Sequence, residues 1–465
     1  MTTTAATPIA KLPPGPSSPL LVQTFQQLLN PLTYLAQQRA QYGDVFTLKF
    51  AGTPPLVVIA DPKVIQELFT ANPRQFDSGE GNRAFLESWV GQNSLLVLDG
   101  DRHARQKRLL MPPFHGDRMR AYGEAIQAIA QQVCQDIPID QPFIAREMTQ
   151  RISLQVILRT VFGLEAGDRF TEMEQRLGSM VDSMTSSVWR SLVVFLKPLQ
   201  QDLGAWSPWG KFLRQQRAID DLIYREIEER RAQDSGGEDV LSMMMAARDE
   251  DGQPMTDQEL RDELMTLLIA GHETTATAIA WALYWIHRLP EVREQLVAEL
   301  KGWQGSGAAL EAVMKLPYLS AVCDETLRIF PVTLFTFARM PKQTIELGGY
   351  RFEPGAMLLP SVYLTHRRED LYPQAEQFRP ERFLERQFSP FEYLPFGGSN
   401  RRCIGMAFAQ YEMKLALATL LSEGRFESLD RDPVQAVRRG VTMAPAGALP
   451  WYGAPQADVP SLDPP

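Results

Sequence analysis

Residues able to do chemistry gather most densely in Phe396-Gly397-Gly398-Ser399-Asn400-Arg401-Arg402-Cys403-Ile404-Gly405. One cysteine sits there among small residues, just after two arginines. A helical pattern starts at once with Met406-Ala407-Phe408-Ala409-Gln410-Tyr411, which puts Cys403 at or just before a helix N-terminus. Free amides and the helix dipole at such a place favour a thiolate over a thiol. Glycines let the backbone turn tightly and come close to a flat ligand. The loop can therefore present one anionic sulfur to a metal on its open side. An isolated Cys-x-Gly is ordinarily a turn with an inert, buried thiol, so the surrounding residues have to decide.

Two further groups stand out. In Ala270-Gly271-His272-Glu273-Thr274-Thr275, a glycine and two β-branched threonines interrupt a long helical pattern, where they are poor helix formers. Ala270 and Thr274 share a helix face, and small residues leave room beside it for a diatomic ligand. The Thr274 hydroxyl and Glu273 carboxyl can relay protons. The alternative is a helix crossing that uses small residues for close approach. Glu325 and Arg328 lie at i, i+3 among Val322, Cys323, Leu327, Ile329 and Phe330. Those neighbours predict a buried pair, which needs further hydrogen-bonding partners.

The cysteine decapeptide resembles the haem-binding loop of the cytochrome P450 family, with Phe396, Arg401, Cys403 and Gly405 matching and Ser399 where the family usually has glycine. The Thr274 stretch is similar to the family's oxygen-activation motif. Glu325 and Arg328 resemble its Glu-x-x-Arg, and Pro380-Glu381-Arg382-Phe383 supplies the arginine that completes a structural triad of Glu325, Arg328 and Arg382. The four motifs keep the family's order, and the resemblance spans about residues 11–450. It implies a mainly helical fold with a smaller β region. Haem b would lie between the long Thr274 helix and the helix after the cysteine loop, with Cys403 as iron ligand.

The resemblance also assigns Arg339, His103 and Lys107 to the haem propionates, with lysine standing where the family has arginine. Ala270 and Gly271 are placed beside the haem. Phe85, Leu86, Trp89, Leu95, Leu96, Leu267, Val332, Leu334, Phe335 and Met443 become the candidate substrate pocket, with Ala270 at its edge. The activity implied is hydroxylation: one atom of dioxygen enters a C–H bond and Glu273 and Thr274 deliver protons. The pocket candidates are nearly all apolar, which points to a lipophile such as a fatty acid or terpenoid, with Arg83 as a candidate cation for a carboxylate. Electrons are expected from a separate ferredoxin or flavodoxin with its reductase, docking on a basic patch of Arg401, Arg402 and Arg108. A peroxide-driven enzyme or an isomerase on the same fold, and a non-catalytic haem sensor or electron carrier, are the rival readings.

The rest of the chain constrains these readings. Its 465 residues are 44% hydrophobic and 22% charged, which suits a globular protein with a large core. A formal charge of −9 argues against nucleic-acid binding. The three cysteines, Cys134, Cys323 and Cys403, are too far apart for a disulfide framework or a cysteine-rich metal cluster. No run of about 18 apolar residues predicts a membrane span. One domain over residues 11–450 is expected between a flexible start (1–10) and a flexible tail (451–465), as a cytoplasmic monomer with peripheral membrane association.

Periodicity predicts a helix over Asn30–Tyr42, strands over Val45–Phe50 and Leu56–Ala60, and a helix from Asp61 to Phe69. Residues 70–100 read as irregular, followed by a basic helix from Asp101 to Leu110. Several helices fill 116–232, with a proline break at Pro198 in a stretch that also holds Trp189. Helices are expected over Glu238–Arg248, Thr256–Leu289 and Tyr318–Phe330. Thr344–Arg351 and Met357–Leu364 read as strands.

Overall fold

The computed structural model describes residues 12–453 apart from 51–52, 115–117, 139–140, 166, 186–199, 205, 234–236, 306–308, 425, 429–431 and 447–449. Trp189 and Pro198 lie outside the described residues, as do residues 1–10 and 454–465 of the expected flexible ends; the tail expected from 451 starts later, because Trp451 is fully buried in a strand that pairs on both sides. In chain order, α1 (Leu20–Leu29) and α2 (Pro31–Tyr42) lead into β1 (Val45–Leu48), β2 (Leu56–Ile59), α3 (Pro62–Thr70), β3 (Phe76–Asp77), α4 (Gly79–Val90) and α5 (Gly100–Leu110). Next come α6 (Arg118–Gln135), β4 (Pro142–Ile144), α7 (Ala145–Phe162), α8 (Asp168–Thr185), α9 (Pro208–Gln233), α10 (Val240–Ala246), the long α11 (Asp257–Arg288), α12 (Pro290–Gly305) and α13 (Pro317–Ile329). Then follow β5 (Met340–Pro341), β6 (Ile345–Leu347), β7 (Tyr350–Phe352), β8 (Met357–Pro360), α14 (Val362–Thr365), α15 (Arg382–Glu385), α16 (Met406–Glu423), β9 (Phe426–Ser428), β10 (Ala436–Arg439), β11 (Thr442–Pro445) and β12 (Pro450–Gly453).

The chain gathers into two compact units, each assembled from separate stretches of sequence. The first takes residues up to Ala104, Thr333–Gln377 and Phe388–Cys403; the second takes Arg105–Val332, Phe378–Gln387 and Ile404 onward.

In the first unit β1 and β2 form the expected hairpin, with Val45 opposite Ile59 and Leu48 opposite Leu56. Strand β8 joins β2 in parallel, Val58 facing Leu359. Val57, Ile59, Ile65, Phe352 and Leu358 build a fully buried core against this sheet. Asp61 starts α3 as predicted, its side chain accepting from the Lys63 N–H. The single strand expected over Thr344–Arg351 is instead the β6–β7 hairpin. Gly348 and Gly349 have φ of 56° and 78°, the conformation a two-residue hairpin turn requires. The strand expected over Met357–Leu364 stops at Pro360, because the Ser361 side chain caps α14 by accepting from the Leu364 N–H.

Besides α14, two helices in this unit have no counterpart in the sequence reading. Helix α4 replaces the irregular stretch, for a reason given below. Helix α1 is turned inside out: Gln23 and Gln27 are its buried residues, while Leu21, Val22, Phe25 and Leu29 are exposed. Gln23 holds it there, donating to the Pro16 and Ser18 carbonyls and accepting from the Lys49 N–H.

The second unit is a stack of helices around α11. Thr256 and Glu259 close a reciprocal capping box at its start. Its residues from Thr275 to Leu283 are almost all buried, and Trp281 stacks on Phe330 with ring centroids 3.7 Å apart. Helix α16 carries a fully buried acid, Glu412, whose two oxygens have no hydrogen-bond partner among the described residues. Burial pushes its carboxyl up to about 8, and the nearby Ser153 hydroxyl offsets only part of that. Between pH 4.5 and 8 the folded chain therefore holds a proton that the unfolded chain releases, so stability falls as pH rises through that window. At pH 7 the difference is worth about 3 kcal/mol. Glu412→Gln is expected to be more stable than the parent by about that amount at pH 7, and equally stable near pH 4.5. Urea midpoints measured at several pH values check this, and parallel pH profiles for parent and variant would contradict it.

Candidate functional site

The cysteine loop belongs to the first unit. The Cys403 N–H donates to the Phe396 carbonyl at 3.0 Å and closes the loop on itself. Gly397 has φ 68°, and Ser399 has φ 58°, a left-handed conformation that a side chain disfavours by about 1 kcal/mol. That conformation accounts for glycine being usual at this position of the family's loop. A Cβ on Gly398 would sit 2.3 Å from the Phe69 ring, so only glycine lets the loop lie against α3. Gly405 immediately precedes α16, which begins at Met406, so Cys403 stands just ahead of a helix start as predicted. Cys403 is exposed. The other two cysteines are poor ligand candidates, since burial pushes the Cys134 thiol up to about 11 and that of Cys323 up to about 12.

Beside the loop lie two buried arginines. Arg339 donates from Nη2 to the Gly398 carbonyl at 3.1 Å and sits 5.8 Å from the Phe69 ring centroid. Arg401 donates to the Leu95 and Leu98 carbonyls at 3.2 and 2.6 Å and to Asp99 at 2.5 Å. Burial, then the neighbouring Arg401, pushes Arg339 down to about 9. Burial likewise lowers Arg401 against the pull of Asp99. Two guanidinium groups thus lie close together, and Asp99 is the carboxylate in direct contact with one of them. Such a cluster of excess positive charge fits the propionate edge of a haem, and the donor set beside an accessible thiol fits its iron. His103 is buried in α5, and Lys107 is half-buried on the same helix.

This geometry corrects the expected docking patch. Arg401 is buried and engaged with Asp99, so it does not reach the surface. Arg108 is exposed but pairs with Glu250, and Arg105 is held by Asp249 and Glu259. Of the three expected arginines, Arg402 is exposed as the patch requires.

In the second unit, α11 presents an accessible stripe. Leu267, Ala270, Gly271 and Thr274 keep accessible surface, while Leu260, Leu264, Thr277 and Ala278 close the helix off on either side. The spacing i, i+3, i+4, i+7 places them on one face, a window about 10 Å long. Thr274 Oγ1 donates to the Ala270 carbonyl at 2.5 Å. Gly271 also serves the alternative role: a Cβ there would lie 2.8 Å from Ile157 Cδ1 of α7, so its smallness permits a close helix crossing.

Glu273 sits on the flank of the stripe, buried. Arg146 Nη2 and Gln150 Nε2 of α7 donate to its two oxygens at 3.0 and 2.9 Å. Next to it, burial drives His272 down to about 4, which leaves the imidazole neutral. The triad forms as expected. Glu325 accepts from Arg328 Nε and Nη2 at 2.7 and 2.8 Å, from Arg382 Nε at 3.1 Å and from the Arg379 N–H at 2.8 Å. Asp99, Arg146 and Gln150 escaped the sequence reading because the residue each one grips at the site lies more than a hundred positions away and no local pattern marks it.

Among the candidate pocket residues, Leu86, Trp89, Leu96 and Phe335 of the first unit retain accessible surface, and Leu95 and Leu334 are buried. The Phe85 side chain is outside the described atoms. In the second unit Val332 and Met443 are brought together, the Met443 N–H donating to the Val332 carbonyl at 2.8 Å.

Comparison with known proteins agrees with this arrangement. The sequence model described as cytochrome P450 matches residues 13–449. The chain is 37% identical over 412 residues to a Mycobacterium tuberculosis protein named cytochrome P450 135B1, covering 88% of this chain and 84% of that one. It is 31% identical over 447 residues to cytochrome P450 138 of the same organism, covering 96% and 97%. Among solved structures, a retinoic acid-bound cyanobacterial CYP120A1 superposes with a TM-score of 0.82 at 24% identity, over 96% of this chain and 99% of that one. The haem domain of cytochrome P450DA gives the same score and identity over 96% and 98%. With the cysteine loop, the buried arginines, the threonine helix and the Glu325 triad all in place, the chain belongs to the cytochrome P450 family, the haem b-containing monooxygenases.

Proposed function

We propose that this monooxygenase hydroxylates a medium-to-large lipophile, a long-chain fatty acid or a terpenoid, using electrons from a separate ferredoxin or flavodoxin with its reductase. The observation that carries the substrate class is the stripe on α11, which is apolar except for Thr274. The accessible candidates Leu86, Trp89, Leu96 and Phe335 are apolar as well, and such surfaces bind through buried area. The retinoic acid bound by one structural neighbour, an isoprenoid carboxylate, is of the same class. Arg83 gives no special support to a carboxylate: it donates to the Val97 carbonyl and lies 3.7 Å from Glu87. A titration with a fatty-acid series, a terpenoid set, and sugars and nucleosides as controls tests the reading. Spin-state shifts from the lipophiles are expected, and shifts from the polar controls alone would overturn it.

Haem b, when bound through Cys403, supplies the activation of dioxygen and the oxidation of the C–H bond. The chain's own residues supply the rest. Arg339 and Arg401 would hold the propionates, a role the family resemblance gives to His103 and Lys107 as well. Ala270 and Gly271 leave space on the α11 stripe. One substrate, one dioxygen, two electrons and two protons give one hydroxylated product and one water. Delivery of the two protons falls to side chains of α11. Thr274 Oγ1 holds one donor position, and Glu273 serves it after exchanging its bonds to Arg146 and Gln150 for water. Thr274→Ala is expected to bind lipophiles normally but to release most reduced oxygen as peroxide. Product per electron consumed should fall by about one to two orders of magnitude. Unchanged coupling would refute the relay.

A second observation supports peripheral contact with a lipid surface. No helix among the described residues is long and apolar enough to cross a membrane. The outward face of α1 nevertheless exposes Leu21, Val22, Phe25 and Leu29, and this helix has no charged residue. An interfacial helix of this kind gains affinity from buried apolar area. Co-flotation with zwitterionic vesicles is expected for the parent and should be lost in Phe25→Gln/Leu29→Gln. Equal flotation of both proteins would remove α1 from this role.

A further inference from the structure

Helix α4 and the cysteine loop share one acid. Asp99 accepts from three successive backbone N–H groups at the start of α4: Ser78 at 2.7 Å, Gly79 at 2.8 Å and Glu80 at 2.9 Å. The same carboxylate receives Arg401 Nη2 at 2.5 Å. Ser78 is gripped from its other side, its Oγ accepting from Arg339 Nη1 at 3.3 Å. The contact is tight: a Cβ on Gly79 would lie 2.4 Å from the Val97 carbonyl oxygen. The first turn of α4 is thus wedged between two arginines, and one carboxylate answers both the amides and Arg401.

We propose that Asp99 is a positioning residue that couples the seating of α4 to the charge Arg401 presents at the cysteine loop. Helix α4 carries Leu86 and Trp89, two of the candidate pocket residues. A lipophile that shifts α4 redistributes the Asp99 carboxylate between the amides and Arg401. The electrostatic field on the reducible centre changes with it. The proposal rests on the reading that Arg401 faces the haem propionates.

The test combines reduction potentials of the loaded enzyme with hydrogen exchange over residues 78–90, read with and without haem. Asp99→Asn leaves Arg401 uncompensated, which favours the reduced state. Its potential is expected to rise, and exchange at the amides of 78–80 to quicken roughly tenfold, the loss of about one hydrogen bond. Asp99→Glu keeps the charge with a misplaced carboxylate, so its exchange should quicken while its potential stays near the parent value. Arg401→Gln should lower the potential and also quicken exchange at 78–80, although Arg401 touches none of those amides.

An unchanged potential in Asp99→Asn, or unchanged exchange in Arg401→Gln, overturns the coupling. Should Asp99→Asn fail to load haem, the exchange response of Arg401→Gln decides alone. An Arg401→Gln enzyme whose potential does not move would instead break the underlying assignment of Arg401 to the propionates.

Discussion

Cys403→Ser is expected to fold, yet to lose the thiolate-type band in the reduced carbon-monoxide difference spectrum. Monooxygenase turnover should fall by at least about a thousandfold, some 4 kcal/mol in the barrier. A serine hydroxyl is a hard, weakly acidic ligand in place of a soft anionic sulfur that donates electron density to iron. No other cysteine can substitute, because Cys134 and Cys323 are held as neutral thiols by burial. Folding should survive, since main-chain and arginine contacts hold the loop. These are the Cys403 N–H to Phe396 carbonyl bond and the contacts of Arg401 to Leu95, Leu98 and Asp99. Thermal unfolding of the haem-free chains separates the two effects: parent and variant should melt together. An unchanged carbon-monoxide band in the variant would remove Cys403 as the ligand.

What was legible in the sequence follows a physical line. Chemistry encoded within one helical turn or one loop could be read directly. The Cys403 loop, the Ala270-to-Thr275 run and the Glu325/Arg328 pair each bring their residues together by local spacing alone. Helix α11 was legible from Thr256 to Pro290 because its capping box and its proline stop are both local. Helix α4 was not. Gly79 and Gly81 weaken it, and the carboxylate that caps its first amides comes from Asp99, some twenty residues further on. Its start is therefore stabilised from a distance that a propensity argument does not reach. The inverted α1 was hidden for a related reason: glutamines facing inward become favourable only once Pro16, Ser18 and Lys49 supply their bonds. Arg401 shows the opposite error. Its charge suggested a surface, and only the positions of Asp99 and two carbonyls bring it inside.

Glu325→Gln is expected to cost about 3–5 kcal/mol, a large share of the roughly 5–15 kcal/mol that holds a typical domain together. Both Glu325 and Arg328 have fully buried side chains, and Arg382 is nearly so. The carboxylate accepts four hydrogen bonds, three from guanidinium nitrogens and one from the Arg379 N–H. An amide offers one acceptor oxygen and turns two donors toward groups that can only donate. It also leaves two buried cations without their shared counter-charge. Because the Arg379 amide is tied to the same carboxylate, the damage should spread from α13 to the segment leading into α15. The expected result is a poorly folded protein with a low haem-to-protein ratio and a urea midpoint well below that of the parent. Arg382→Lys keeps a positive charge and loses only directional bonding, so its loss should be about 1–2 kcal/mol. A Glu325→Gln enzyme that is fully folded and haem-replete but simply slower would mean that Glu325 acts in the chemistry and not in holding the fold.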